Sequence, residues 1–422
     1  MARPVVLAML LLGALMAGCI GSSSDDLEAQ DANVEDTVAW AKDLPETITG
    51  LEPLAQVDLA EEMSGAGIWT EGDYAYVGGL NTGFHVVNLT DPANPVVEAS
   101  IDGDQVYSRD VDLLHYEDRL VAVLATQSGG MTFVDVTDPA SPEIINIVEI
   151  DPNHNVAVVP DTKLVYNSPS TGEGRANEIV DATVPEQAEV IGEFGTFGCH
   201  DISFFVNEDK QRAYCAGGDI TEIWDISDPR APEKLVEVSN PCMDDPTGPP
   251  TRSNCQGLHH SAFVNEDASI LLVGDEFQGG GGPGCGLHAN DGSRSASTPL
   301  GALWFYDITD EENPQLLGWF APNVPAQAHA DAVLETAASN PTGAPFSASC
   351  TSHFGEIIPG QDMVVIAWYH AGVLLIDFSD PTNPILVDQW NEGTQTWDAR
   401  LHNGYVFTGD ILRGLDVLEL VG

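Results

Sequence analysis

Asp377-Phe378-Ser379-Asp380-Pro381-Thr382-Asn383-Pro384 is one copy of a phrase that recurs along the whole chain. An apolar run leads into Asp, an apolar residue, Ser or Thr, and then Asp-Pro-x-x-Pro. The phrase returns at 88–95, 135–142 and 225–232, and in degraded form at 307–314 and 180–187. A truncated copy, Leu415-Asp416-Val417-Leu418, closes the series. Asp135 to Asp225 is 90 residues, or two units of 45 with a degraded copy between them. Units of about 40–45 residues with four short strands are what a β-propeller blade requires.

Each unit supplies those strands. In the fourth, residues 201–206 read as strand a, 212–216 as b, 222–226 as c and 233–238 as d. Proline presets φ and cannot donate to a ladder, so Asp-Pro belongs at the outer c–d corner. The last unit lacks strand d, and residues 51–60 match one. The sequence therefore predicts an all-β, seven-bladed propeller over 51–422, closed by an N-terminal strand that completes the last blade and removes the exposed edges.

The stretch Gly372-Val373-Leu374-Leu375-Ile376-Asp377-Phe378-Ser379-Asp380-Pro381, with its relatives, resembles the LVIVD-repeat family of exported propellers. The resemblance covers residues 51–422. It implies the fold and no single reaction, so function must be argued from sites.

Charge excludes several function classes. Fourteen Lys and Arg stand against 66 Asp and Glu, a net charge of −52. Such a surface repels phosphate backbones and anionic lipid, so nucleic acid is not an expected partner. With 43% hydrophobic residues and eight Trp, the chain is not a disordered acidic one. Its acid excess resembles that of proteins from salt-loving microbes and suggests a halophilic archaeon, since molar salt shortens the Debye length to about 3 Å and screens self-repulsion.

Residues 1–19 read as an export signal. Arg3 precedes a short apolar run, too short to span a bilayer, that ends in Leu15-Met16-Ala17-Gly18-Cys19. That ending resembles a lipobox, with Cys19 the lipidated residue; it departs in carrying Met16 where Leu is usual. Residues 20–50, acidic and rich in Ser, read as a flexible tether. The expected location is the extracellular face of the membrane, held by a lipid anchor.

Six cysteines remain, an even number in an exported chain, so disulfides are expected. Blade geometry pairs Cys199 with Cys215, at one end of an a–b hairpin. It pairs Cys242 with Cys255 in the connection from blade 4 to blade 5, and Cys285 with Cys350 on the same face.

In a propeller the d–a and b–c connections share a face, and strand a lines the channel. Aligning the units places Asp110, His154, Asp201, His259, His353 and Asp398 near the start of strand a, with His200 and His260 their immediate neighbours. The b–c loops bring Asp219, Asp275, Glu276, His370 and Asp410 to that face. Imidazole and carboxylate together suit divalent metals, so His259, His260, Asp275, Glu276, His353 and His370 are the candidate metal ligands, and His329 is a further candidate. The competing reading is that channel-lining polar groups tie strands together. His85, His115 and His402 read as structural. Long insertions at 239–257, 278–300 and 321–352 decorate the same region, where binding usually resides.

The Gly279-Gly280-Gly281-Gly282 run lacks a following Gly-Lys-Ser/Thr and is no phosphate loop. No hydrolase or metalloprotease motif appears. The reading is a surface binding module for a protein, glycan, small molecule or metal. The alternative is a metal-dependent hydrolase or oxidoreductase using the same His/Asp/Glu cluster.

Overall fold

A computed structural model describes residues 44–60, 65–240, 258–276, 301–322 and 350–422. Within them lie seven four-stranded antiparallel sheets and one two-stranded ribbon. Blade 1 comprises Ile68–Glu71, Tyr74–Gly79, Gly83–Asn88 and Val96–Ile101, its strands a to d in order. Blade 2 runs from Ser108–His115 to Glu143–Val148, blade 3 from Asn155–Val158 to Glu189–Phe194, and blade 4 from Asp201–Val206 to Glu233–Ser239. Blade 5 runs from His259–Val264 to Gln315–Phe320, and blade 6 from Gly355–Ile357 to Ile385–Trp390. Blade 7 takes Thr396–His402, Tyr405–Asp410 and Gly414–Val421 from the C-terminus and Gly50–Val57 from the N-terminus.

The seven-bladed propeller and its closure are as the repeat predicts. Gly50 pairs with Val421 and Val57 with Leu415, so the two chain ends share one sheet. The packed chain begins before residue 51. Ile48, assigned above to the tether, is 3% exposed in the core between blades 6 and 7, and Thr49 N donates to Val421 O at 2.7 Å. In blade 4 strand a is as expected, while c is Ile220–Asp225 and so ends one residue earlier than the sequence suggested. The signal residues, Cys19, tether residues 20–43 and His329 lie outside the described residues, as do nearly all of the three insertions.

The repeated phrase is a hydrogen-bonding device. Its first acid caps the turn: Asp377 Oδ1 accepts from Ser379 N at 2.8 Å, and Asp225 Oδ1 accepts from Ser227 N at 2.8 Å. Its second acid does the same two residues on, as Asp380 Oδ1 accepts from Thr382 N at 3.1 Å. These Asx turns satisfy backbone donors that the outer corner takes off the ladder.

The apolar runs that precede the phrase fill the spaces between blades. One cluster of buried side chains lies at each of the seven blade–blade contacts. The blade 3–4 cluster contains Tyr166, Phe194, Trp224 and the disulfide partners Cys199 and Cys215. That pairing is as expected. Cys350 is buried and disulfide-bonded, while Cys242, Cys255 and Cys285 lie outside the described residues. Among the described residues no helix is long and apolar enough to cross a membrane.

Candidate metal centre at the channel mouth

Strand a enters each blade through a β-bulge, in which two residues oppose one on strand b. The ladder skips between Ser108 and Asp110, between His259 and Ser261, and between Thr396 and Asp398. In the other blades Ala66 and Gly67 oppose Gly78, His154 and Asn155 oppose Ser168, His200 and Asp201 oppose Ala216, and His353 and Phe354 oppose Ala367. A bulge bends the strand and re-aims a side chain. The first bulge residues, in blade order, are Ala66, Arg109, His154, His200, His260, His353 and Trp397.

The second bulge residues and their neighbours along strand a join blade to blade. Gly67 N donates to Arg109 O at 2.9 Å. Asp110 Oδ2 accepts from Val156 N at 3.0 Å, and Asn155 Nδ2 donates to Asp201 Oδ1 at 3.3 Å. Ser203 Oγ donates to Ala262 O, and Ser261 Oγ donates to His353 O at 2.8 Å. Glu356 Oε2 accepts from Leu401 N at 2.7 Å, and Asp398 Oδ2 accepts from Ile68 N at 3.2 Å. This belt accounts for Asp110, Asp201 and Asp398 as strand ties. Arg400 lies among their carboxylates, 3.0 Å from Glu356 and 3.4 Å from Asp398.

The four bulge histidines form a continuous arc. Ring centroids are 4.3 Å apart for His154 and His200, 4.1 Å for His200 and His260, and 3.8 Å for His260 and His353. Glu276, from the end of strand b in blade 5, reaches the middle of that arc. Its Oε2 is 3.7 Å from His200 Nε2 and 3.9 Å from His260 Nε2, and its Oε1 is 3.7 Å from His353 Nε2. Tyr369 Oη donates to Glu276 Oε1, and His353 Nδ1 is hydrogen-bonded to Trp397 O. Tyr369 sits at φ +42° in the b–c turn of blade 6, a left-handed conformation that a bulky residue rarely adopts. Its carbonyl accepts from Gly372 N and, across to blade 7, from Thr396 N at 3.1 Å.

Ligand atoms of His200, His260 and Glu276 lie within 4.8 Å of one another, and all three residues are buried. His260 is fully buried, and neither ring nitrogen has a hydrogen-bond partner. His200 Nδ1 and His353 Nε2 are likewise unpartnered. Burial holds His200, His260 and His353 well below the usual imidazole range, so each is a neutral ring with a free lone pair. Burial lifts Glu276 to about 8, against the hydrogen bond from Tyr369, which lowers it. Buried polar nitrogens without partners are costly, and a coordinated cation would satisfy the lone-pair nitrogen of each neutral ring it binds. Two imidazoles and one carboxylate fit a first-row divalent transition metal, and His353, its Nε2 3.7 Å from Glu276 Oε1, lies beside that set.

Of the six residues singled out from sequence, His260, Glu276 and His353 meet here. His259 does not: it is the residue before the bulge, and its Nδ1 is 2.9 Å from Thr221 Oγ1. Asp275 is also diverted, accepting from Leu258 N at 2.8 Å. His370 stays on the b–c turn of blade 6, outside the triad, and has contacts of its own. Asp410, also expected at this face, organises its own turn, accepting from Gln395, Leu412 and Arg413 N. His200 and His154 belong to the arc, and Tyr369 and Arg109 face it. The signal that would have found them is a consistent register. Aligning every unit on the dipeptides Arg109-Asp110, His154-Asn155, His200-Asp201, His260-Ser261 and Trp397-Asp398 puts the ring residue first each time.

With fold and site described, the comparison with known families becomes interpretable. A model described as the LVIVD repeat matches residues 64–102, 122–149 and 363–392. The chain carries LVIVD repeats. The matched segments fall on blade 1, on strands b–d of blade 2 and on strands b–d of blade 6. No curated protein matches the chain. The matched repeats suggest a binding or interaction module and name no reaction.

Proposed function

We propose that this LVIVD-repeat propeller is a binding module, tethered outside the cell, whose channel mouth holds a divalent transition metal on His200, His260 and Glu276. One observation carries the reading: His260 is wholly buried with both ring nitrogens unpartnered, between two further histidines and a carboxylate. Propeller geometry supports it, because adjacent blades present equivalent positions around one axis. The address is part of the proposal and rests on the sequence. An export signal, Cys19 as the lipidated residue and an acidic tether would display the mouth to the surroundings.

The test separates the bulge residue from its neighbour. After loading with Co²⁺ or Zn²⁺ and gel filtration, elemental analysis should find about one ion per chain in the unsubstituted protein and in His259→Ala. His260→Ala and Glu276→Gln should lose it. Retention by His260→Ala, or loss only in His259→Ala, would overturn the assignment. For the address, the N-terminal peptide from purified membranes should carry a thioether-linked glyceryl lipid on Cys19.

A further inference from the structure

Glu276 presents its two oxygens to different neighbours. Oε2 faces His200 and His260, 3.7 and 3.9 Å from their Nε2 atoms. Oε1 accepts the hydrogen bond of Tyr369 Oη and lies 3.7 Å from His353 Nε2. His353 Nδ1 is bonded to the Trp397 carbonyl, which can only accept, so Nδ1 carries the proton and Nε2 the lone pair. Of these two neighbours, only the tyrosine hydroxyl can donate to Oε1.

Tyr369 holds that position against its backbone. It stands at φ +42° in the turn between strands b and c of blade 6, where glycine or asparagine would be less strained. Trp368 N donates to Gly372 O at 2.7 Å and Gly372 N to Tyr369 O at 3.0 Å, and Thr396 N of blade 7 ties the turn from outside. The ring is fully buried, edge-on to His353 at 4.8 Å and to Trp397 at 6.1 Å between centroids. Strained backbone of this kind persists where its surroundings over-determine it, and it clusters at ligand sites. Beyond a packed ring, the tyrosine supplies the turn with one hydroxyl, aimed from blade 6 at a carboxylate of blade 5.

We propose that Tyr369 fixes the class of ion the mouth takes. By holding Oε1 it makes Glu276 a one-oxygen ligand, so two imidazole nitrogens and one oxygen face the ion. That set suits a four-coordinate ion such as Zn²⁺ or Co²⁺, with one position left over. Hard ions that take six or more oxygens, such as Ca²⁺ and Mg²⁺, are poorly served by it. Tyr369 acts through Glu276 and is a positioning residue, not a ligand; such partners commonly set metal affinity by tenfold or more. The proposal rests on the metal reading above and deepens it by naming what selects the coordination number.

The visible spectrum of the full chain loaded with Co²⁺, in detergent and high KCl, tests it. Four-coordinate Co²⁺ lacks a centre of symmetry and absorbs far more strongly than six-coordinate Co²⁺. Unsubstituted protein should show the intense bands. Tyr369→Phe keeps the ring and frees Oε1, so the bands should weaken as the second oxygen joins the ion, and Zn²⁺ affinity should fall about tenfold in competition with a chelating dye. Tyr214→Phe removes an equally buried hydroxyl that touches no ligand, and it should change neither reading. Zinc-edge X-ray absorption of the unsubstituted protein, which needs no variant to fold, should give four first-shell atoms; six would overturn the proposal. Equal bands and equal Zn²⁺ affinity in unsubstituted protein and Tyr369→Phe would overturn the role of Tyr369 and leave the metal site standing. Absence of bound Co²⁺ and Zn²⁺ from the unsubstituted protein would overturn both.

Discussion

At the residue scale the molecule keeps its histidines neutral in two different settings. Those of the mouth are buried around a carboxylate, whereas His85 is buried in blade 1 with its Nδ1 2.9 Å from Ser100 Oγ. Burial lowers His85 to about 4, opposed in part by the charge of Asp102. In the unfolded chain it would titrate near the ordinary imidazole value. Between those two values the unfolded chain binds the extra proton, so stability falls as pH drops from about 6.5 toward 4 and levels off below that. Full expression of the shift would be worth at most about 3 kcal/mol. His85→Gln keeps the polar group and removes the titration. Its thermal midpoint, followed from pH 7 to pH 4, should decline less than that of the unsubstituted protein; parallel curves would refute this assignment. The same scale explains why the candidate site was only half legible. Imidazole and carboxylate chemistry could be read at His260, Glu276 and His353, but a one-residue shift exchanges ring residues for strand ties, as His259 illustrates.

At the scale of elements, every blade is a short meander whose inner end is set by a bulge; in blades 1, 2, 4, 5 and 6 two Asx turns set the outer corner, and in blade 3 one does. The corner is local chemistry, so the phrase carrying it is visible in the chain itself. The bulge is not, because it is defined by which residue of strand b two residues of strand a share. Blade 4 adds a covalent clamp. Cys199, just before strand a, joins Cys215 on strand b across a sequence separation of 16, inside the apolar cluster with Trp224. Closing a loop of that length restricts the unfolded chain by about 3 kcal/mol in the chain-entropy description. Cys199→Ala with Cys215→Ala should therefore shift the urea midpoint downward under oxidising conditions. Reductant should shift the unsubstituted protein by more than the double variant, which keeps the Cys350 disulfide. Identical midpoints for both proteins without reductant would show that the clamp contributes nothing.

At the scale of the whole molecule, the full chain carries a net charge of −52, and all ten described Lys and Arg but Arg109 and Lys163 are engaged in ion pairs. Lys163 instead lies 5.3 Å above the Tyr116 ring. Self-repulsion on this surface is long-ranged at low salt and screened at high salt, as the Debye length contracts from about 10 Å at 0.1 M to about 3 Å at 1 M. Differential scanning calorimetry should show the midpoint rising with KCl across that range, by on the order of 10 °C. A flat response would mean that acid excess is not a stability determinant here. The sequence by itself determined the repeat, the blade count and the joining of the chain ends. Asp-Pro corners and apolar runs are local signals, spaced about 45 residues apart except where insertions stretch the interval to 82 and 70 residues, and Gly50–Val57 has the pattern of the strand missing from the last unit. Only the tertiary structure decided which side chains share the mouth. That depends on bulge register and on the turning of seven strands about one axis, which brings Arg109, His154, His200, His260 and His353 side by side from positions far apart in the chain.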